Sequence, residues 1–98
     1  MKAIHEIQNL RIIKVSYLGA TNTRGSRIKI SETKRYNDDK TESKIFGYNY
    51  AIGNVEAQAL EILQRNGFNV VCRAFDVDGY ILLCNNWGDD FKKVSELK

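Results

Sequence analysis

The residues whose types are best suited to bind an anion lie in one loop between two apolar runs. The segment reads Tyr17-Leu-Gly-Ala-Thr-Asn-Thr-Arg-Gly-Ser-Arg27. Its glycines allow sharp turns, its hydroxyl and amide groups bind oxygen ligands, and the guanidinium groups of Arg24 and Arg27 fit phosphates and carboxylates. With Lys29 just beyond it, the loop predicts a cationic contact surface. The alternative is a plain hairpin loop held by its own threonine and asparagine hydrogen bonds.

Few other residues are arranged for chemistry. The chain has two cysteines, Cys72 and Cys84, and one histidine, His5, fewer than the four ligands of a structural zinc site. Both cysteines lie in apolar runs, where a thiol is inert, so we expect both in the core. A calcium loop that began at Asp76 would need Glu where Trp87 stands. Without a nucleophile elbow or spaced carboxylates, we predict a non-enzymatic protein with no catalytic residue, metal site or cofactor.

Positive charge is concentrated in the first third of the chain. The net charge is +3, yet residues 1–31 carry six basic residues and one acidic residue, whereas residues 54–98 carry five and seven. This asymmetry favours an anionic partner, either nucleic acid or an acidic protein face. The alternative is a solvated strand face whose lysines serve solubility.

Length and hydropathy limit the classes of protein to which this chain can belong. Ninety-eight residues suffice for one domain, spanning residues 1–98, with a single core. No apolar run approaches the roughly 20 residues that a membrane span needs. The N-terminus lacks the apolar stretch of a signal peptide, so we expect a cytoplasmic protein with reduced thiols and no membrane partner.

Three segments in the first half have the alternating or aromatic-rich pattern typical of strands. They are Leu10–Leu18, Arg27–Ser31 and Lys44–Tyr50. Gly47 indicates a bulge or an edge position in the third, because glycine weakens a strand interior. The charged stretch Glu32–Lys44 has one large apolar group, Tyr36, and predicts a surface loop or a mobile hairpin tip.

A single strong helix is predicted from Val55 to Asn66. Asn54 stands at the N-cap position and Gly67 at the C-terminal cap. The apolar stripe expected to face the core consists of Val55, Ala59, Ile62 and Leu63. The opposite, solvated face consists of Gln58, Glu61, Gln64 and Arg65, with Glu61 and Arg65 spaced to form an ion pair.

A tight hairpin is predicted from residues 69–77 and 80–85, joined by a type I′ turn at Asp78-Gly79. This turn sets a register in which three pairs of residues face each other: Val77 and Tyr80, Phe75 and Leu82, and Arg73 and Cys84. Cys72 then lies on the face opposite Cys84, which argues against a disulfide. Beyond Trp87, the tail forms either one short helix capped by Asp89 or a final extended segment, with Phe91 and Val94 returning to the core.

Both faces of this hairpin are apolar, and one helix covers only one of them. We expect the helix to pack on the face with the smaller residues, which are Val70, Cys72, Ala74, Ile81 and Leu83. The other face is either closed by the N-terminal segment and the tail or open as an interaction surface. If it is open, Arg73, Phe75 and Tyr80 are candidate contacts, and base stacking is the minority alternative. The predicted fold is α+β, an antiparallel sheet of four to five strands in the order β-β-(β)-α-β-β with one main helix on one face.

The loop motif also resembles a known group. Residues 17–29 are similar to the opening motif of small bacterial proteins associated with phages, plasmids and integrative elements, approximately Tyr-Leu-Gly-Pro-Thr-(Asn/Asp)-Thr-(Arg/Lys)-Gly-Ser-Arg. The segment Tyr48-Asn49-Tyr50 and the helix with Ala57 and Ala59 resemble the features that follow there. The resemblance covers about residues 15–65. The chain departs from the pattern at Ala20, where proline is common, and in the length of its charged segment 32–44.

The resemblance implies a mobile-element origin. The leading hypothesis is a stoichiometric binding protein that inhibits a host defence protein or nucleoprotein complex, in the manner of an anti-CRISPR inhibitor. The alternative is a nucleic-acid-binding accessory protein that contacts phosphates through the basic hairpin, and a homodimer is a further option. The candidate partner-binding residues are Arg24, Arg27, Lys29, Tyr48, Tyr50, Arg73, Phe75 and Tyr80.

Overall fold

The protein folds as α+β, as predicted. The computed structural model describes residues 1–32, 41–77 and 79–98. Its helix and strands, in chain order, are β1 (Arg11–Leu18), β2 (Arg27–Glu32), β3 (Glu42–Gly47), α1 (Val55–Arg65), β4 (Val70–Asp76) and β5 (Gly79–Cys84). Short 3₁₀ turns lie at Ile4–Glu6, Gly88–Asp90 and Val94–Glu96. Of the helices in the described ranges, none has the length and apolar character to cross a bilayer.

The strands form one antiparallel sheet in the order β3-β2-β1-β5-β4. β1 is therefore central, and β3 and β4 are the edges. Because β3 is an edge strand, the edge position predicted for Gly47 is confirmed. The predicted bounds of this strand were wrong, because it begins at Glu42 and ends before Tyr48. Most of the predicted surface loop, residues 33–40 with Tyr36, lies outside the described residues.

The core lies between α1 and one face of the sheet. Alternate residues of β1 and β2 are fully buried there, as the alternating pattern of these segments predicts: Ile13, Val15, Ile28 and Ile30. From α1 come Ala59, Ile62 and Leu63, and from the tail Val94 and Leu97. The tail reaches this core through two 3₁₀ turns instead of the single helix or extended segment expected from the sequence.

Helix α1 has the predicted bounds within one residue. The Asn54 side chain accepts a hydrogen bond from the Ala57 amide at 2.8 Å, and Gly67 has φ +86°, the left-handed value of a C-terminal cap. The placement of Gln58 on the solvated face was wrong, since it is only 2 % exposed. Its side-chain oxygen accepts a hydrogen bond from the Asn49 amide at 2.7 Å, which ties the preceding loop to the helix.

The β4–β5 hairpin differs from the predicted register by two residues. Phe75 pairs with Tyr80 and Asp76 with Gly79, so Gly79 belongs to β5 and not to a turn. The other residue of the predicted turn, Asp78, lies outside the described residues. Gly79 has φ +146°, and a Cβ there would lie 2.5 Å from the carbonyl oxygen of Val15. Glycine is needed at position 79 because β1 passes so close, which the local pattern could not reveal.

The helix packs on the opposite face of this hairpin from the one predicted. Leu82 and Cys84 are buried under α1, whereas Ile81 and Leu83 point away from it. The pairing of β5 with β1 decides this, because Leu82 lies opposite Ile13 and must share its face. A register irregularity between Val70 and Cys72 in β4 keeps Val70 against the core.

The two cysteines have different environments. Cys84 is buried as predicted, but Cys72 is exposed, so its predicted place in the core was wrong. Cys72 pairs with Leu83, whose side chain points away from α1, while Cys84 points toward it. The two thiols therefore point to opposite faces of the sheet, as predicted, which argues against a disulfide between them.

Candidate binding surfaces

The loop between β1 and β2 is closed by its own hydrogen bonds. The Thr21 amide donates to the Arg24 carbonyl oxygen at 2.8 Å, and the Thr21 hydroxyl accepts from the Arg24 amide at 3.1 Å. At the base of the loop, the hydroxyl groups of Tyr17 and Ser26 are 2.7 Å apart. These are the hydrogen bonds of a plain hairpin loop. The guanidinium groups of Arg24 and Arg27 take no part in them.

The cationic groups of the loop region are not neutralised within the described part of the chain. No carboxylate in those ranges lies within 4.0 Å of the charged atoms of Arg24, Arg27 or Lys29. The Nε atom of Arg27 is buried and has no hydrogen-bond partner there. An anion that reached Arg27 and Lys29 would therefore not compete with an internal ion pair.

Arg27 and Lys29 lie on the sheet face that points away from α1, called here the open face. Around them on β1, β2 and β3 are Lys14, Ser16, Ser31 and Ser43, together with two apolar residues, Leu18 opposite Arg27 and Ile45 opposite Lys29. The neighbouring half of the open face, on β1, β5 and β4, is apolar and consists of Ile12, Ile81, Leu83, Ala74 and Cys72. Ile12 is 44 % exposed, and no described element packs on this face.

The open face is therefore an apolar area beside a cationic one. Its one acidic group among the described residues, Asp76, lies 3.7 Å from the Lys14 ammonium group. By register, the described open-face positions carry no aromatic side chain. A sheet without aromatic rings lacks the platforms on which nucleic-acid bases stack.

The predicted contacts Tyr48 and Tyr50 lie elsewhere, at the loop end of the helix-covered face. Their rings are 4.8 Å apart, and Tyr48 meets the Tyr17 ring at 5.6 Å. The Tyr48 hydroxyl donates to the Gly53 carbonyl oxygen at 2.7 Å, which fixes that ring. Tyr50 is 75 % exposed. The structure thus joins these tyrosines to the base of the arginine loop but not to the open face.

Arg73, Phe75 and Tyr80 form a third location, at the β4 edge on the helix side of the sheet. Arg73 pairs with the Glu56 carboxylate at 2.9 Å, and the rings of Phe75 and Tyr80 are 5.7 Å apart. Phe75 is 75 % exposed. Beside them, an open groove of about 550 Å³ separates α1 from β4, with Leu60 among its apolar lining residues. The eight predicted contacts therefore lie on three separate surfaces.

Sequence reasoning missed a buried arginine. Arg11 is 1 % exposed, and its Nε and one terminal nitrogen each donate to a Glu32 carboxylate oxygen at 2.8 Å. It also donates to the carbonyl oxygens of Asn86 at 3.0 Å and Lys92 at 2.6 Å, and its guanidinium lies 4.3 Å from the Phe91 ring centroid. Arg11 lies two residues before the buried Ile13 in β1, so both side chains point to the same face. This spacing was the available signal.

This ion pair changes the meaning of the charge asymmetry. Arg11 contributes to the basic count of the first third, but Glu32 neutralises it in the interior. The remaining cationic character of that region rests on Lys2, Arg24, Arg27 and Lys29, and on Lys14, whose ammonium group lies 3.7 Å from Asp76.

Cys84 carries the buried thiol of the described residues. Burial raises the pKa of the Cys84 thiol, against the opposing effect of the Arg11 guanidinium, so the thiol stays protonated and unreactive. Among the same residues no cluster of three or more His, Cys, Asp or Glu side chains could hold a metal ion. Comparisons with protein-family models, curated proteins and solved structures found no match to this chain.

Proposed function

We propose that this protein acts by stoichiometric binding, and that the open face is the surface that holds its partner. The observation that carries the proposal is a sheet face that no described element covers, on which apolar side chains stand beside Arg27 and Lys29, whose charges no described carboxylate neutralises. Exposed apolar area of this kind, next to polar groups, is typical of protein-interaction surfaces. The complementary partner is a protein surface with an apolar centre and carboxylates along one side.

The partner is proposed to be a host defence complex, inhibited in the manner of an anti-CRISPR protein. Support for this class comes from the resemblance of residues 17–29 to proteins of phages, plasmids and integrative elements. Two free cysteines agree with action in the cytoplasm. An inhibitor of this kind needs no reactive group, because occupying a surface of the target is sufficient.

An interference assay tests this proposal. A host with an active CRISPR system is challenged with a targeted plasmid while it expresses the protein, and surviving transformants are counted. We expect the unmodified chain to raise their number, and Ile12→Lys or Lys29→Glu to abolish the rise. Ile4→Lys is the matched control, because Ile4 is 83 % exposed on a 3₁₀ turn outside the sheet. Equal inhibition by all variants, or inhibition by none, would contradict the proposal.

A second candidate function is nucleic-acid binding through phosphate contacts. The observation that favours it is a set of three cations, Arg24, Arg27 and Lys29, which have no ion-pair partner within the described ranges and lie beside the hydroxyl groups of the loop. Three phosphate contacts on duplex DNA give a slope of about −2.7 in a plot of log affinity against log salt concentration. Lys29→Gln should then reduce the magnitude of the slope by roughly 1. Absence of binding at low salt rejects this function and leaves the protein-binding proposal in place.

A further inference from the structure

The outer edge of β4 has the features of a strand that pairs with another strand. None of the described strands lies beyond it, so half of its backbone amide and carbonyl groups lack a strand partner. Edge strands are normally protected by charged side chains, above all lysine, by proline or by a bulge. β4 has no lysine or proline, and its register irregularity is confined to its start, between Val70 and Cys72. Its two charged residues are already neutralised, Arg73 by Glu56 and Asp76 by Lys14. A second strand would therefore meet no unpaired charge.

The side chains at this edge are unevenly distributed along the strand. Toward its start lies the groove between α1 and β4, whose lining includes Leu60 and Val71. Toward and beyond its end are the most exposed apolar side chains of the β4–β5 hairpin, Phe75 at 75 % and Val77 at 98 %. The groove and the groups that would fill it are thus on one strand, separated along its length.

We propose that two copies of this chain pair through β4, antiparallel and about a two-fold axis at Ala74. Such an axis requires facing residues to point to the same side of the sheet. The regular part of β4 is Cys72–Asp76, and Ala74 is its centre, so this register pairs its full length. An axis at Arg73 would instead place two guanidinium groups opposite each other.

The register is self-complementary in detail. On the helix side, Arg73 faces the Phe75 ring of the second copy, an arrangement that favours a cation–π contact. Val77 of each copy lies next to Val71 of the other, at the mouth of the groove beside α1. On the open face, Ala74 faces its own equivalent, where two small side chains allow close approach. Each copy thus places Val77 in the groove of the other. Pairing with a strand of an unrelated protein would not require this reciprocal contact.

The pairing extends the proposed binding surface without covering it. Because the two-fold axis is perpendicular to the sheet, the open faces of both copies point in the same direction. Ten strands then form one continuous sheet with two apolar and cationic areas side by side. This inference does not depend on the identity of any partner.

The oligomeric state of the purified chain is the first test, measured by sedimentation velocity over a range of concentrations. We expect the unmodified chain to dimerise and Val77→Asp to weaken the dimer at least about tenfold, equivalent to roughly 1.4 kcal/mol. Val77 is almost fully exposed, so the variant should fold normally. Ile45→Asp is the matched control, since Ile45 is 47 % exposed on β3, the opposite edge. A monomer at about 1 mM, or equal weakening by both variants, overturns the proposal.

The register is tested by disulfide trapping. Across an antiparallel pair, directly facing Cα atoms lie about 4.5–5.5 Å apart, within the range that a disulfide spans. In a Cys72→Ser background, Ala74→Cys should give a covalent dimer under mild oxidation. Ser43→Cys, on the same face of the opposite edge strand, should not. A non-covalent dimer that Ala74→Cys fails to trap would overturn this register.

Discussion

The two ends of the β1–β2 hairpin use arginine in opposite ways. At one end, Arg11 opens β1 and Glu32 closes β2, and the two side chains form a buried ion pair under the C-terminal tail. At the other end, Arg24 and Arg27 flank a loop that hydrogen-bonds to itself and leaves their charges unpaired among the described residues. The same side chain thus holds the fold together at one end and remains available for an anion at the other.

The difference teaches that arginine count is a poor guide to surface charge. A buried guanidinium is tolerated only when carboxylate and carbonyl groups satisfy its donors. Arg11 has Glu32 and the carbonyl oxygens of two tail residues, whereas the hydrogen bonds of the loop use the backbone of Arg24 and not its guanidinium group. The surroundings, not the residue type, decide whether an arginine stabilises the protein or binds a partner.

The largest effect is expected from Arg11→Ala. This change leaves the Glu32 carboxylate buried without its main partner and releases two carbonyl oxygens, so we expect a loss of roughly 3–5 kcal/mol in the free energy of unfolding. Arg24→Ala, at the other end of the hairpin, should change stability by less than about 0.5 kcal/mol. Urea denaturation measures both. Similar losses for the two variants would remove the contrast between the ends.

A smaller loss is expected from Asn86→Ala. Asn86 is fully buried beside the Arg11 pair, where its side chain accepts from the Asn69 amide at 2.6 Å and donates to Asp90 at 2.7 Å. Removal of these bonds should cost roughly 1–3 kcal/mol in the free energy of unfolding. Asn85→Ala is the control, since its side chain accepts only an exposed hydrogen bond from Asn69. If the control costs as much, the buried network is not what stabilises the tail.

At the loop end, the hydroxyl pair of Tyr17 and Ser26 should contribute little. Tyr17→Phe and Ser26→Ala each remove one member of an exposed hydrogen bond, so we expect a coupling of about 0.5 kcal/mol in a double-mutant cycle. The cycle is read from urea denaturation of the four proteins. A coupling above about 2 kcal/mol would mean that this end is as rigidly bonded as the Arg11 end.

The smallest effect is expected on the reactivity of the two thiols, which reports whether the Arg11 end of the hairpin is buried. Cys84 lies opposite Arg11 across β1 and β5, and its burial raises its pKa. A thiol reagent at pH 8 should modify Cys72 in the folded protein and Cys84 only after unfolding or in Arg11→Ala. Because the unfolded thiol ionises first, the contribution of Cys84 to stability should fall as pH rises above the ordinary thiol value. Equal labelling rates would contradict the buried position of Cys84.

Local pattern was sufficient for the elements that short-range physics controls. The alternation in β1 and β2, the Asn54 cap and the Gly67 cap were all predicted and are present. The arginine loop was located, but the separation of the eight contact residues among three surfaces was not foreseen. Their separation follows from strand pairing, which joins residues distant in the chain.

The errors described next occurred where a second strand or a loop intervened. The Asp-Gly dipeptide, typical of hairpins, predicts a turn at Gly79, whereas glycine is required there because β1 passes close by at Val15. The helix-covered face was misassigned because both faces of β4–β5 are apolar, and only the pairing of Leu82 with Ile13 distinguishes them. Gln58 was placed in solvent because its partner, the Asn49 amide, lies in a loop.

The amino-acid sequence by itself determined the α+β class, the helix with both its caps, and the alternation of the first two strands. These depend on backbone preferences and on periodicity, which act over a few residues. Only the tertiary structure decided which sheet face is open, that Arg11 is internal, and that β4 is an exposed edge. Those outcomes depend on register between strands, since a strand's side chains take the face that their paired neighbours impose.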